Sequence, residues 1–400
     1  MSALDMNVDT TFIPFHRPSI GDEELAAVRE VLESRWLTTG PATLKFESEF
    51  AKYLGAKHAL AVNSGTAALQ LAVTLIGLQP GDEVLVPSYT FTATAEVTTY
   101  FGARPVLCDS VAGGFNIDVA DAECRVTSKT KAIIPVHVAG EPCDLDAIHT
   151  MASEHGLHVI EDAAHALPTS FRGRRIGTCS ALTAFSFYAT KNITTGEGGM
   201  LVTDNEAYAE KARCMRMHGI SKGAWKRYSR QGSWTYEVLH AGFKLNLPDL
   251  LSALGSAQLR KADQFLRRRC EIAQRYCERF AKAGQFELPP TVGRGCEHSW
   301  HLFLLRLRPA TLRIGRNEFI EELKQLGVGA WVHFIPLHLH PYYAQTYGYR
   351  PGDFPNAEDA FSRCLSLPIY PSLTDDEVER IIRAVEKVAL IYRRTALAVA

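Results

Sequence analysis

Short apolar runs alternate with amphipathic stretches along the first half of the chain. Apolar residues spaced three or four apart predict helices at residues 22–34 and 44–54 and between most of the later runs. The short runs predict buried strands, and this alternation is typical of an α/β fold in which helices cover both faces of a mostly parallel, seven-stranded sheet. The strand-like runs lie near Leu60, Val84, Val106, Ile133, Val159, Phe185 and Leu201.

The second half of the chain has a different pattern. A long helical pattern rich in Arg, Gln and Leu covers residues 250–283 without an internal proline. Its basic stretch at residues 267–269 is expected to be the solvated face of that helix. Further along, strand patterns lie at residues 300–307 and 328–334, and helical patterns at 317–326 and 375–392.

These patterns predict two domains. A large α/β domain with the bridging helix would occupy residues 1–283, and a smaller α+β domain residues 284–400. The proline pair Pro289-Pro290 begins a stretch that runs to Gly295 and is the expected connecting loop.

Lys191 follows an apolar strand-like run and precedes a glycine-rich segment that ends at Gly199. A lysine presented from such a scaffold is partly desolvated, which favours its neutral, nucleophilic form. That form can make a Schiff base with an aldehyde cofactor. A surface lysine in a glycine loop has the same local pattern, so the choice depends on two other segments.

The first of these segments ends in Asp162, which follows Val159, Ile160 and Glu161 and precedes small residues and His165. It predicts a buried parallel strand with a carboxylate at its C-terminal end, where open α/β sheets bind ligands. Such a carboxylate can bind a metal or pair with a cation, and the ring nitrogen of pyridoxal phosphate needs an anionic partner to stay protonated. A nucleotidase magnesium strand looks similar but requires a phosphate loop ending in Gly-Lys-Ser/Thr, which the sequence lacks.

The second segment is a strand-to-helix turn at Ser64, Gly65 and Thr66, between an apolar run and an Ala/Leu-rich stretch. Backbone amides, hydroxyls and the positive end of a helix dipole would converge there, which suits a phosphate. Helix capping alone explains the same residues, and the turn gains weight because it precedes Asp162 and Lys191 in order.

These ordered segments resemble the nucleotide-sugar aminotransferases of the DegT/DnrJ/StrS family, which are fold-type I pyridoxal-phosphate enzymes. The resemblance covers about residues 15–392 and includes the segments at 38–41, 87–91, 244–249 and 331–334. The chain most resembles the members that act on UDP-linked 4-keto sugars of the 4-amino-4-deoxy-arabinose type. A branch that carries histidine in place of the lysine performs dehydration, so Lys191 implies transamination.

The resemblance implies a role for each matched residue. Lys191 would bind pyridoxal 5'-phosphate covalently, Asp162 would pair with its ring nitrogen, and His165 would lie near its ring and phenolic oxygen. Phe91 would stack on the ring, since a flat apolar side chain suits that position. The phosphate would be held by Ser64, Gly65, Thr66 and Ser186, with Asn246 reaching it from the other subunit of a homodimer. The substrate side would be formed by Thr38, Thr39, Gly40, His333 and Tyr188, the last standing where some relatives have a histidine.

Composition excludes several other classes of protein. The 400 residues carry 43 basic and 44 acidic side chains, a formal charge of -1, so no electrostatic footprint for nucleic acid exists. Nine cysteines without a C-x-x-C pair argue against a disulfide framework and a zinc ribbon and are expected to be reduced core thiols. No apolar stretch is long enough to span a membrane, and residues 1–14 lack the features of a secretory signal. We therefore expect a cytoplasmic enzyme.

One competing constellation is formed by His333, His338 and His340, with Tyr342 and Tyr343 nearby. Histidines at this spacing could bind zinc, but no cysteine or carboxylate lies close in sequence to complete a tetrahedral set. An aromatic, histidine-rich substrate loop is the preferred interpretation.

The resemblance implies a specific reaction. Glutamate would donate its amino group, leaving 2-oxoglutarate, and a nucleotide-linked sugar would accept it at a keto group, preferentially at C4. The alternatives are amination of the cyclitol scyllo-inosose, another pyridoxal-phosphate reaction such as dehydration or aldol cleavage, and a non-catalytic regulator with the same fold. A regulator is expected to lose the lysine or the aspartate, or to gain a DNA-binding module, and the sequence has neither feature.

Overall fold

The computed structural model describes residues 12–221, 235–290, 292–293 and 295–394. Most of the N-terminal stretch in which a secretory signal was sought therefore lies outside the described residues, as do two positions of the predicted connecting loop. The strands are β1 (His58–Val62), β2 (Glu83–Pro87), β3 (Arg104–Cys108), β4 (Thr130–Ile133), β5 (His158–Asp162), β6 (Ser170–Phe171), β7 (Arg174–Arg175), β8 (Leu182–Ser186), β9 (Gly199–Thr203), β10 (Phe286–Glu287), β11 (Phe303–Leu307) and β12 (Cys364–Leu367).

The central sheet has seven strands in the order β1-β9-β8-β5-β4-β2-β3. Strand β9 is antiparallel to its neighbours β1 and β8, and the remaining pairs are parallel. Each predicted apolar run forms one of these strands, so the prediction of a mostly parallel seven-stranded sheet is confirmed. Because β1, β2, β5 and β8 are parallel, their carboxyl ends lie at one edge of the sheet.

Helices cover the sheet because the apolar stripe of each amphipathic helix is removed from water when it packs on the apolar face of the sheet. The predicted helix at residues 22–34 is found with those bounds, and the one at 44–54 begins earlier, at Pro41, because proline is well tolerated in the first turn. The helices are α1 (Asp22–Ser34), α2 (Pro41–Leu54), α3 (Gly65–Leu75), α4 (Ala93–Thr99), α5 (Val119–Cys124), α6 (Leu145–His155), α7 (Glu206–Met215), α8 (Asp249–Arg260), α9 (Ala262–Phe280), α10 (Arg316–Gln325), α11 (Pro341–Tyr347), α12 (Pro355–Arg363) and α13 (Asp375–Ile391).

Helix α2 packs on the strand that leads to Lys191. Its residues Phe46 and Phe50 lie one turn apart and are fully buried. Their rings contact those of Phe187 and Phe185, with centroid distances of 5.4 and 5.3 Å. Burial of each phenylalanine contributes about 1.5–3 kcal/mol, so this contact fixes the end of β8 firmly.

The long helix predicted at residues 250–283 is two helices. A single turn residue, Lys261, with φ -97° and ψ -2°, separates α8 from α9. The Lys261 ammonium pairs with the buried carboxylate of Glu24 in α1, which ties this break to the N-terminal helix.

The prediction that residues 267–269 form a solvated basic face was wrong for Arg269. Its side chain is 1% exposed because this face of α9 packs against the C-terminal part of the chain. Its Nη1 donates to the carbonyl oxygens of Trp300, His301 and Ile369 at 3.0, 3.3 and 2.7 Å.

The C-terminal part of the chain contains a three-stranded antiparallel sheet, β10-β11-β12. The predicted strand at residues 300–307 begins later, at Phe303, whereas the one predicted at 328–334 is absent from the described sheets and makes only isolated bridges at Val328 and Trp331. The end of that segment instead contacts the loop that follows β2, where the hydroxyl of Tyr89 donates to the carbonyl of His333. Since Tyr276 and Phe280 of α9 share a core cluster with β11, the division at residue 283 stays a prediction.

All nine cysteines are free, but the prediction that they are core thiols holds only in part. Cys108, Cys143 and Cys364 are buried, whereas Cys124 and Cys270 are exposed on helices. Over the ranges that the structure describes, no helix is both long and apolar enough to cross a bilayer.

Candidate active site

Asp162 ends β5 at the carboxyl edge of the central sheet and is 5% exposed. Its Oδ2 accepts a hydrogen bond from Oγ1 of Thr94 at 2.8 Å, and its Oδ1 accepts one from the backbone N–H of Ala164 at 3.1 Å. Burial raises the pKa of this carboxyl above its ordinary value, while these two hydrogen bonds and the nearby charge of Lys191 oppose the rise.

Lys191 lies in the loop between β8 and β9, five positions beyond Ser186. The loop is closed by hydrogen bonds from Phe187 N–H to the Gly198 carbonyl at 2.8 Å and from Thr195 N–H to the Phe187 carbonyl at 3.0 Å. Desolvation lowers the pKa of the Lys191 amine to about 8, and the charge of Asp162 opposes this fall. The neutral fraction near neutral pH is therefore larger than that of an ordinary lysine, which favours a nucleophilic amine.

His165 is 6% exposed and has a defined protonation pattern. Its Nδ1 accepts a hydrogen bond from the backbone N–H of Ala139 at 3.2 Å, so the proton of the neutral ring is on Nε2. Burial, reinforced by the Lys191 charge, lowers the pKa of His165 well below its ordinary value. One face of its ring stacks on Phe334, with centroids 5.7 Å apart and planes 16° apart.

The turn between β1 and α3 is tightly packed against β8 and β9. Ser64 caps α3 by accepting a hydrogen bond from the N–H of Ala67 at 3.0 Å. A Cβ on Gly65 would lie 2.9 Å from Cβ of Ser186, and one on Gly199 would lie 2.3 Å from the Ser64 carbonyl oxygen. Glycine is therefore required at both positions. Thr66 lies in the first turn of α3, and the structure thus brings together the four residues predicted to hold a phosphate.

Phe91 follows β2 at the same edge, and its ring is 60% exposed. Its centroid is 6.2 Å from that of Phe334. Both rings line a surface cavity of about 640 Å³, together with Ile335, Tyr342 and Tyr343. An exposed ring beside a cavity is available to stack on a ligand.

The predicted substrate segment at Thr38, Thr39 and Gly40 precedes α2. Thr38 is exposed, Thr39 is half-buried and Gly40 is buried. This segment contacts Asn246, whose backbone bridges to Val62 at the end of β1 and whose Nδ2 donates to Oγ1 of Thr39 at 2.6 Å. Asn246, predicted to bind the phosphate, therefore contacts Thr39, predicted to bind the substrate.

The other predicted substrate residues differ in their surroundings. Tyr188 is 47% exposed. His333 is half-buried, its Nδ1 lies 2.9 Å from Oγ of Ser366, and burial lowers its pKa to about 3. His338 instead faces Ser88 and Glu358 and is fully buried. The described residues contain no group of three or more histidine, cysteine or acidic side chains that could hold a metal.

These residues fit pyridoxal phosphate. The Asp162 carboxylate is buried, and no basic side chain of the described residues forms an ion pair with it; the charge of Lys191 acts on it only from a longer distance. A protonated ring nitrogen would match it. The glycine-dependent turn before α3 can bind the phosphate group. The Lys191 amine can form a covalent bond with the aldehyde carbon, and the exposed ring of Phe91 can stack on the planar cofactor ring.

Sequence reasoning missed several residues of this site. Thr94 contacts Asp162 from α4, and nothing in its sequence surroundings distinguishes it. Asn192 follows Lys191, and its Nδ2 donates to the carbonyls of Leu167 and Ser299 at 2.5 and 3.2 Å. Its Oδ1 therefore accepts from Nδ1 of His301 at 3.0 Å, and the His301 ring lies 4.3 Å from that of His165.

Comparisons with known proteins agree with this geometry. A family profile described as the DegT/DnrJ/EryC1/StrS aminotransferase family matches residues 18–386. The chain is 49% identical over 378 residues to the spore coat polysaccharide biosynthesis protein SpsC of Bacillus subtilis, which covers 94% of this chain and 97% of that protein.

Solved structures of similar proteins have the same fold. The putative sugar aminotransferase Spr1654 of Streptococcus pneumoniae, in its PLP form, is 32% identical with a TM-score of 0.88, over 95% of this chain and 99% of that one. Helicobacter pylori PseC, an aminotransferase involved in the biosynthesis of pseudoaminic acid, is 29% identical with a TM-score of 0.89, over 96% of this chain and all of the other (100%).

Proposed function

The chain belongs to the DegT/DnrJ/EryC1/StrS aminotransferase family, and we propose that it moves the amino group of L-glutamate to the keto group of a nucleotide-linked sugar, at C4. It is a pyridoxal-phosphate-dependent sugar aminotransferase of amino-sugar and polysaccharide biosynthesis. The nucleotide, the C4 position and the glutamate donor are the proposed parts.

The observation that carries the proposal is that the Lys191 amine and the Asp162 carboxylate are both desolvated at the carboxyl edge of the sheet, close enough for each charge to act on the other. Asp162 lies beside Ala184 of β8 in register, two residues before the end of that strand. The two side chains influence each other's pKa, so they share one desolvated environment. A regulator of the same fold has no need for this costly arrangement of a buried acid and a desolvated amine with a lowered pKa.

Each residue has a proposed role in the transfer. Pyridoxal phosphate, when bound, supplies an electrophilic carbon and a ring that accepts electrons. Lys191 would bind it covalently, be displaced by the amino donor, and then carry a proton on Nζ between the two reacting carbons. Asp162 would keep the ring nitrogen protonated, and the Nε2 proton of His165 would be available to the phenolic oxygen.

The surroundings support a large acceptor. A nucleotide lies far from the reacting carbon, and its binding energy can orient the keto group. The cavity of about 640 Å³ beside Phe91 and Phe334 offers apolar and aromatic surface next to the reaction site. Thr38, Gly40, Tyr188 and His333 are the proposed contacts to the sugar.

We also propose a cytoplasmic homodimer with shared active sites. Nine free cysteines suit a reducing compartment. A two-fold dimer is the commonest closed oligomer, and Asn246 lies partly accessible beside the turn that precedes α3, from where it can serve a phosphate in the partner subunit.

The test separates the two halves of the reaction. The purified enzyme receives glutamate, and the absorbance of the aminated cofactor is recorded. It then receives UDP- and dTDP-linked 4-keto sugars, a free keto sugar or scyllo-inosose. We expect only nucleotide-linked sugars to restore the original absorbance efficiently. If scyllo-inosose restores it and no nucleotide sugar does, the enzyme is a cyclitol aminotransferase and the proposal is wrong.

A further inference from the structure

The hydroxyl of Thr39 makes two hydrogen bonds within the protein, one as a donor and one as an acceptor. Its Oγ1 lies 2.6 Å from the carbonyl oxygen of Leu247 and 2.6 Å from Nδ2 of Asn246. A carbonyl can only accept, so the single hydroxyl proton is donated to Leu247. Thr39 therefore has no proton left to donate to a sugar.

The same argument fixes the orientation of the Asn246 carboxamide. Since the proton of Thr39 is used on Leu247, the Asn246 atom that faces Thr39 must be the donor nitrogen. One of the two Nδ2 protons is used in this bond. Because the amide is planar and the bond to Thr39 sets its orientation, the second Nδ2 proton points away from Thr39.

The backbone around Thr39 is held by Asp249, which is 2% exposed. Its Oδ1 accepts from the N–H groups of Gly40 and Thr43 at 2.7 and 2.9 Å, and its own N–H donates to the Thr38 carbonyl at 3.3 Å. The backbone on both sides of Thr39 is thus hydrogen-bonded to Asp249, which holds the Thr39 hydroxyl at a fixed position beside Asn246.

Asn246 is held as closely on its other side. Its backbone bridges to Val62, and the N–H of Asn63 donates to the Leu245 carbonyl at 2.8 Å. The backbone of Asn246 is therefore located next to the residues that lead into the turn at Ser64 and Gly65. The residue is partly accessible, which leaves its second Nδ2 proton available to a ligand.

We propose that Thr39 is a positioning residue for Asn246 and not a ligand of the sugar. Its hydroxyl orients the carboxamide so that the second Nδ2 proton is available to the cofactor phosphate of the partner subunit. The inference rests on the proposed function, because it takes Asn246 as a phosphate ligand.

The test uses two cofactor forms that differ only in the phosphate. The full-length chain, freed of cofactor, is titrated with pyridoxal phosphate and with pyridoxal. In Thr39→Val, which keeps the shape and removes the hydroxyl, the dissociation constant for pyridoxal phosphate should rise about fivefold, since one hydrogen bond to a charged group is weakened. That for pyridoxal should not change. Thr39→Ser should restore the wild-type ratio of the two constants.

Two further variants separate positioning from general damage. Thr203→Val removes a buried hydroxyl at the far end of β9, where it donates to the Ala181 carbonyl at 2.7 Å, so it should lower the melting temperature without changing the ratio. In an Asn246→Ala background, Thr39→Val should have no additional effect on the ratio, because the residue that it positions is missing.

Two results would overturn the proposal in distinguishable ways. If Thr39→Val raises the KM for the sugar and leaves both cofactor constants unchanged, Thr39 is a sugar ligand. If Asn246→Ala leaves the ratio at the wild-type value, Asn246 does not bind the phosphate and the premise is wrong. The experiment with UDP- and dTDP-linked 4-keto sugars then shows separately whether the enzyme aminates nucleotide-linked sugars.

Discussion

Oγ1 of Thr94 donates a hydrogen bond to Oδ2 of Asp162 across 2.8 Å. Because the Thr94 proton is used in this bond, the hydroxyl of Thr90, 2.8 Å away, must donate to Thr94. Both threonines are buried. The Asp162 carboxylate at the end of β5 is therefore held by Thr94 of the short helix α4, and Thr94 in turn is held by Thr90, which precedes that helix. This support favours the charged form of Asp162, which burial alone would disfavour.

The first prediction concerns Thr94→Val, which keeps the side-chain volume but removes the donor. The pKa of Asp162 should rise, its pairing with the cofactor ring should weaken, and turnover should fall about tenfold, the equivalent of one hydrogen bond to a charged group. Thr94→Ser is the matched control and should retain most activity. Steady-state kinetics decide the outcome, and equal turnover for all three proteins would show that the bond has no catalytic effect.

The second prediction concerns the pH at which Lys191 reacts. The amine must be neutral to attack the aldehyde, so cofactor capture by the cofactor-free enzyme should accelerate as pH rises through about 8. The negative charge of Asp162 raises the pKa of Lys191, and Asp162→Asn should therefore move this inflection to a lower pH. Capture rates measured across a pH series test this. An unchanged or higher inflection in the variant would mean that the two groups are not coupled.

Asp162→Asn should also reduce turnover by about a hundredfold or more, since the electron-accepting ring loses its anionic partner. Circular dichroism of the variant should be unchanged, because Asn occupies the same space. Near-normal turnover would make Asp162 a structural residue.

The third prediction concerns stability in acid. Burial lowers the pKa of His298 and His333 to about 3, and that of His16 to about 4. In the unfolded chain these histidines take up protons near pH 6.5. Above that pH they are neutral in both states, so they do not reduce the free energy of unfolding. It should fall on acidification towards about pH 4, by at most about 1.4 kcal/mol per pH unit for each histidine.

His298→Asn tests this pH dependence. The Nδ1 of His298 accepts a hydrogen bond from the Trp300 N–H at 2.8 Å, and the Asn oxygen can replace it without titrating. Urea unfolding near pH 7 and near pH 5 should show a smaller loss of stability in the variant than in the wild type. An equal loss would show that His298 does not contribute to the acid sensitivity.

The fourth prediction concerns shared active sites. Lys191→Ala chains and Asn246→Ala chains should each be weakly active or inactive alone. Mixed and reassembled, they should form heterodimers with one intact site, because that site combines Lys191 of one chain with Asn246 of the other. If Asn246 serves its own chain, the mixture gains no activity, and full activity of a monomer would exclude the shared site altogether.

The sequence was most informative where periodicity is strong. Each strand of the central sheet could be predicted, because buried strands of a parallel sheet are continuous apolar runs. The break at Lys261 could not, since no proline or glycine marks it and the residue's ion-pair partner, Glu24, lies more than two hundred positions away in sequence. The burial of Arg269 likewise depends on carbonyls of distant residues.

The candidate site shows the same division. Lys191, Asp162 and the turn at Ser64 are found together at one sheet edge, as the order of the strands predicts. Thr94 and His301 were missed because each contacts the site only through tertiary packing, from α4 and from the segment before β11. The engagement of Thr39 with Asn246 was equally invisible, since the two lie 207 positions apart.

The most direct measurement is reduction of the enzyme with borohydride followed by mass spectrometry of its peptides, since the covalent link to the cofactor defines the site. The cofactor mass should be found on Lys191 alone, and Lys191→Ala should bind the cofactor without a reducible link and lose turnover. Addition of glutamate before borohydride should abolish the label on Lys191, because the donor displaces the lysine. A label on another lysine, or one that glutamate does not remove, would contradict the assignment of this site as a transaminase centre.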